Sequence, residues 1–241
     1  MAMTLVEFIV VVVLIGVLLA LVLPIGPGLG RKRKAPIVQA QKDMADFKGA
    51  IEVFRHDYNY LPISTRIAAL TNADFTFGTF QSRTNAEILN GATTEANNSE
   101  VINILTGKHA PVGTPPELDP LKRNPRATQY FNAKPSGDTH SPGLGTDGVF
   151  RDPWGNPYIL TLDLDRDGQC KDAFYRKASV SRMKPPSLGT KLTNSVNADG
   201  LSDDFALAES VMIWSFGSDG KVSPTERADT GVNRDNILGW R

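Results

Sequence analysis

The chain has 241 residues, and its 26 Lys plus Arg are matched by 26 Asp plus Glu, so no net basic field suggests nucleic acid as a partner. Its one cysteine, Cys170, excludes an intramolecular disulfide framework. The length suffices for one apolar helix and one domain with a proper core, which must be held by packing, by assembly or by bound ions.

The first element is the stretch from Met1 to Pro24. From Phe8 to Leu23 sixteen consecutive residues are apolar or glycine. As a helix they rise about 24 Å, a little short of the roughly 30 Å hydrocarbon core of a bilayer. Glu7 stands at the head of this run, and a carboxylate at an apolar edge calls for a partner. No Lys or Arg precedes Arg31.

Met3-Thr4-Leu5-Val6-Glu7, the apolar run and Pro24 together resemble the N-terminus of type IV pilins and pseudopilins. The resemblance implies that a prepilin peptidase cuts between Ala2 and Met3 and that the new Met3 amine is methylated. It further implies that Glu7 pairs with that amine in a neighbouring copy and that Pro24 kinks the helix. Family members carry Gly where Ala2 stands and a charged leader where Met1-Ala2 stands, so a truncated or mis-started leader is expected. An uncleaved signal anchor or a secretory signal is the alternative.

Pro24 to Gly30 holds three glycines and two prolines in seven residues, which predicts a broken helix over residues 24–35. Arg31-Lys32-Arg33-Lys34 is a basic cluster suited to lipid headgroups, to acidic groups of adjacent subunits or to plain solvation. By the positive-inside rule it argues for a cytoplasmic flank, against the export that the Met3–Glu7 motif implies; export is preferred because that motif is the more specific. From Pro36, apolar residues Ile37, Ala40, Met44, Phe47, Ala50, Ile51 and Phe54 recur at spacings of three and four. They predict a helix whose stripe packs on a sheet, ending by Pro62.

Residues 63–150 read mostly as loops, with short helices at 67–70, 86–89 and 100–105 and a strand at 129–131. Asn97-Asn98-Ser99 is a weak glycosylation triplet. His109 and His140 stand apart, with no pair at metal-ligand spacing. In Asp152-Pro-Trp-Gly-Asn-Pro-Tyr158, a Pro/Gly turn leads into a strand over 158–162, and Trp154 is large enough to close one end of a core.

This motif is similar to one in the major pseudopilin of type II secretion systems, as are Ile213–Gly220 and the tail Asp235–Trp240. Residues 63–150 and 176–210 look like insertions relative to that family. The resemblance implies a Ca²⁺ site in the C-terminal loop, with Asp219, Asp235 and Asn236 as ligands. A second candidate comes from the residues themselves. Asp163, Asp165 and Asp167 with Gly168 form the first half of an EF-hand-type loop, in which alternate carboxylates converge on one hard cation. Phe174 stands where that loop needs Glu, so the ladder is either a partial Ca²⁺ site or a hairpin turn leading to a strand at 173–176.

No enzyme signature is present: no G-x-S-x-G, P-loop or His/Cys nucleophile pair. The expected fold is α+β and pilin-like. A long N-terminal hydrophobic helix, broken near 24–35, packs on a small antiparallel sheet with strands near 158–162, 173–177 and 211–216. Residues 1–2 are the leader remnant, 3–24 the membrane or filament-core helix, 25–35 the break and 36–241 the soluble domain. The expected function is a structural, non-enzymatic pseudopilin-like subunit of a type II secretion-like system, anchored in the inner membrane and then assembled into a periplasmic or surface filament. Its expected partners are copies of itself, a prepilin peptidase, an inner-membrane assembly platform and lipid. A type IV pilus subunit and a membrane-anchored binding module that does not polymerise are the alternatives.

Overall fold

The computed structural model describes residues 5–22, 28–70, 73–78, 96–108, 115–182, 191–194 and 201–240. The chain divides into two compact units, residues 1–35 and 36–241.

In the first unit, Leu5–Val22 forms helix α1, 18 residues long. Its ten large side chains from Leu5 to Ile15 are all 43–77 % exposed. Among the described residues no helix is long and apolar enough to cross a membrane. This overturns the expected inner-membrane anchorage, the long hydrophobic helix of a pilin-like fold, and the anchor of a membrane-bound module. The physical reason is length, since 18 residues rise about 27 Å against roughly 30 Å of hydrocarbon. Ala2, Met3 and Pro24, with the cleavage and kink assigned to them, lie outside the described residues.

Helix α2, Gly28–Tyr58, starts inside the stretch expected to be broken and carries Arg31–Lys34 and Pro36 within it. Pro36 therefore sits in the ninth position of the helix, where it has no N–H to offer the Lys32 carbonyl. Beyond Pro36 the three-and-four spacing holds from Ala40 on, with Ala40, Met44, Phe47, Ala50, Ile51 and Phe54 all buried, while Ile37, the first residue of the expected stripe, is exposed. Helix α3 is Thr65–Leu70 and strand β1 is Phe75–Phe77. Helix α4, Ser99–Thr106, falls where a helix at 100–105 is expected, while 86–89 lies outside the described residues. Residues 129–131 form no strand.

Strands β2 (Gly143–Leu144) and β3 (Phe150–Arg151) pair as a small ribbon. Strand β4 is Ile159–Leu162, helix α5 Ala178–Ser181, strands β5 and β6 Thr193–Asn194 and Phe205–Ala206, β7 Val211–Ser215 and β8 Ile237–Leu238. The main sheet is antiparallel, in the order β1-β4-β7-β8. The strand expected at 173–177 is absent; residues 173–176 form a turn ahead of α5.

The period of two in β4 and β7 divides the core. Leu160, Leu162, Val211 and Ile213 join the α2 stripe in one apolar cluster. Ile159, Met212 and Trp214 join Cys170, Phe174, Tyr175, Val180, Leu207 and Trp240 in a second. Because both sheet faces are buried, these strands read as continuous apolar runs instead of alternating ones. Trp214 fills the second cluster, stacked on Phe174 at 5.5 Å and met edge-on by Tyr175 at 5.1 Å. Trp154, expected to close a core, is only half-buried.

Candidate functional site

The turn Asp152–Tyr158 ties the sheet to the C-terminal loop. Asp152, wholly buried, accepts from the backbone N–H of Trp154 and of Asn156 (both 2.9 Å) and from Ser215 Oγ at 2.5 Å. Burial raises its carboxyl above the usual range. Asn156 Nδ2 donates onward to the Gly217 carbonyl at 3.0 Å. Gly155 has φ +90°, and a Cβ there would lie 2.2 Å from the His140 carbonyl oxygen, so only glycine fits.

In the C-terminal loop, Asp235 Oδ2 accepts from Ser218 N (2.8 Å), Ser218 Oγ (2.8 Å) and Asp219 N (3.0 Å). Asp219 Oδ1 accepts from Lys221 N at 2.8 Å. Asn236 is buried and donates through Nδ2 to the Tyr175 hydroxyl at 3.0 Å. Buried Asn233 clamps the same loop, accepting from Ser223 N and donating to the Ser223 and Glu226 carbonyls. Hydrogen bonds thus close this loop through one oxygen of Asp235.

The aspartate ladder has a different geometry. Asp163, 4 % exposed, accepts from Arg166 N through Oδ1 (2.6 Å) and from Gly168 N through Oδ2 (3.1 Å). Asp165 Oδ1 accepts from Asp167 N, and Asp167 Oδ1 from Gln169 N. Arg166 at φ +61° and Gly168 at φ +79° make the tight turn. One oxygen each of Asp74, Asp163 and Asp165 lie within 4.8 Å of one another, the one such acidic triad among the described residues. Asp167 stays outside it, and so do Asp219 and Asp235.

Asp74 was not legible as a site residue. It precedes β1, and the pairing of Phe75 with Leu162 sets it opposite Asp163. Its Oδ2 accepts from Lys171 N at 2.6 Å, while its Oδ1 is buried without a hydrogen-bond partner. Burial, helped by the charges of Asp165 and Asp163, pushes the Asp74 carboxyl up to about 7. Burial and then the neighbouring Asp165 carboxyl raise Asp163 as well. Carboxylates so placed repel one another unless a proton or a cation joins them. Three carboxylates offer up to six hard oxygens, the donor set of Ca²⁺, and the orphaned Asp74 oxygen fits a metal ligand.

No family model, curated protein or solved structure matches this chain.

Asp172 is a second residue that the sequence did not single out. Wholly buried, it accepts from Thr161 Oγ1 (2.6 Å), Trp214 Nε1 (3.1 Å), Phe174 N (2.9 Å) and Tyr175 N (2.8 Å). Four donors converge on it, which makes it a structural hub of the second cluster. Glu7, the expected assembly residue, lies in the first turn of α1 and is exposed.

Proposed function

We propose that this chain is a structural subunit that assembles with copies of itself into a filament through α1. The observation behind this is that ten consecutive large or β-branched apolar positions, interrupted only by Glu7, are exposed around the whole helix from Leu5 to Ile15. A helix apolar on every side has no polar face to turn to water. At about half exposure, and about 2 kcal/mol for each fully buried side chain, covering these ten offers about 10 kcal/mol before association entropy is subtracted. The Met3–Glu7 and Asp152–Tyr158 resemblances support a role within a secretion-like filament, with Glu7 as the assembly carboxylate. Sedimentation of the full chain tests the reading. Wild type is expected to pellet, and Val10→Asp with Val13→Asp to remain in the supernatant; equal pelleting defeats it.

We also infer that Asp74, Asp163 and Asp165 hold a divalent cation, Ca²⁺ by donor chemistry, which stabilises the fold where β1 meets the loop after β4. The orphaned Asp74 Oδ1 supports this reading. Calcium is expected to raise the unfolding midpoint, and an unchanged midpoint removes the site.

A further inference from the structure

Within residues 36–241, a cleft of about 720 Å³ opens between α3, α4 and the β2–β3 ribbon, and it shares no lining residue with the carboxylate triad. That volume lies within the roughly 300–1,000 Å³ of small-molecule sites. Arg66 enters from α3, Ser99, Glu100 and Asn103 from α4, and Lys108 from just beyond the α4 C-cap Gly107. Leu118, Pro120, Pro135 and Leu144 supply the apolar part of the wall. At Gly148, with φ +76°, the ribbon turn comes so close to α4 that a Cβ would lie 3.3 Å from the Ser99 Cβ.

The hydrogen bonds made within this lining engage its acceptors and leave its donors open. Glu100 Oε1 accepts from Ser64 N and Oε2 from Arg66 Nη2, both at 3.2 Å. Asp147 accepts from Arg151 through both oxygens, at 2.8 and 2.6 Å. Asn97 Oδ1 accepts from Ser99 N at 3.0 Å and from Ser99 Oγ. Arg66, by contrast, has five N–H donors, and among the described residues only Nη2 is engaged, while 35 % of the side chain is exposed. Lys108 is exposed and has no ion pair among the described residues. The Nδ2 groups of Asn97 and Asn103 likewise have no partner there, against one open amide acceptor, Asn103 Oδ1. Counted with Arg151, three cations (Arg66, Lys108, Arg151) face two carboxylates (Glu100, Asp147).

We propose that this cleft binds a small organic anion whose body carries acceptor oxygens, the class to which sugar acids and sugar phosphates belong. Open N–H groups and one unmatched positive charge select an anion. The carboxamides of Asn97 and Asn103 and the Leu/Pro wall suit a compact ring with polar edges and apolar faces. An added peptide strand would need an open sheet edge. Both edges of the ribbon are taken: Leu144 N donates to the Lys134 carbonyl and Ser136 N to that of Leu144, while Tyr158 N donates to the Phe150 carbonyl and Asp152 N to that of Asn156. The proposal goes beyond the filament reading and does not depend on it.

Equilibrium dialysis of the full chain tests it, since the method is indifferent to assembly. Glucuronate, glucose 6-phosphate, glucose and glutamyl-glutamate are the probes, in EDTA so that no cation bridges them to the aspartates, and at about 0.15 M salt to screen diffuse attraction. At least one anionic sugar is expected to bind, one per chain and about tenfold or more tighter than glucose; which of the two binds identifies the anion as carboxylate or phosphate. Lys108→Gln and Asn103→Ala should each weaken it about tenfold, the scale of a lost hydrogen bond to a charged group, with the unfolding midpoint unchanged. Equal binding of glucose overturns the anionic class, and tighter binding of the dipeptide overturns the sugar-like body. Full affinity in Lys108→Gln and in any folded Asn103→Ala places the ligand outside the cleft and overturns the proposal, as does binding of none of the probes.

Discussion

Replacing Asp74 by Asn tests the physical account of the carboxylate triad without changing the size of the side chain. A free Asp titrates near 3.9, and Asp74 is pushed up to about 7, mainly by burial. The folded carboxyl therefore keeps its proton to higher pH than the unfolded one. Its contribution to stability is full below about pH 4 and is lost as pH rises from about 4 to 7. The rise from about 3.9 to about 7 corresponds to about 4 kcal/mol, and partial solvent exposure reduces it to about 2 kcal/mol. With calcium removed by EDTA, Asp74→Asn is expected to match the wild type near pH 4 and to exceed it by about 2 kcal/mol at pH 8. For a chain of this size that is roughly 4–8 °C in the unfolding midpoint. Calcium at about 100 times its dissociation constant should then stabilise the wild type by about 2.7 kcal/mol, and the variant by much less. Thermal unfolding followed by circular dichroism at the two pH values, with calcium and with EDTA, reads all of this. A variant whose midpoint tracks the wild type at both pH values, with an equal calcium response, refutes the reasoning.

Glu7→Leu should leave the unfolding midpoint of residues 36–241 unchanged while lowering the sedimented fraction; an unchanged pellet removes the assembly role of Glu7. Gly49→Ala should stabilise the chain by about 0.5–1 kcal/mol, because the site is helical, exposed and open. Gly217→Ala should destabilise it by more than 1 kcal/mol, since φ is +70° and the new Cβ would sit 2.1 Å from the Asp235 carbonyl oxygen. Denaturant titration of the two variants should move the midpoint in opposite directions. Phe47→Ala should cost about 3–5 kcal/mol, because the ring is buried between Phe131 and Phe150, 5.1 and 5.9 Å away. A loss under 1 kcal/mol would mean that α2 does not pack as described.

The α2 stripe and strands β4 and β7 were legible because each repeats a pattern long enough to stand out: six buried residues at helical spacing, and two runs of four apolar or β-branched residues, 159–162 and 211–214. The start of α2 was not, because local propensity over the glycines and prolines at 24–30 points to a break, and the helix nonetheless begins at Gly28. Strand β1 is three residues, Phe75–Phe77, set in a polar stretch, too short for any period to register. Its place follows from pairing with β4, a contact between residues far apart in the sequence. The loss of the expected strand at 173–177 has a specific cause. Asp172 draws the N–H groups of Phe174 and Tyr175 into a turn, which uses donors a strand would need for its ladder. The candidate cation site was half legible: the ladder shows in the spacing Asp163, Asp165, Asp167, but Asp74 enters only through the register of β1 on β4. The expected ligands Asp219 and Asp235 share a loop, where one oxygen of each accepts local N–H donors.

The order of the main sheet limits strand-to-strand association at its borders. Its outer strands are β1, of three residues, and β8, of two. Such stubs leave too few free backbone groups to recruit a strand from another molecule, so these borders do not template a growing cross-β stack. In the self-assembly proposed above, cohesion between subunits would then fall to side chains on helices and not to added strands.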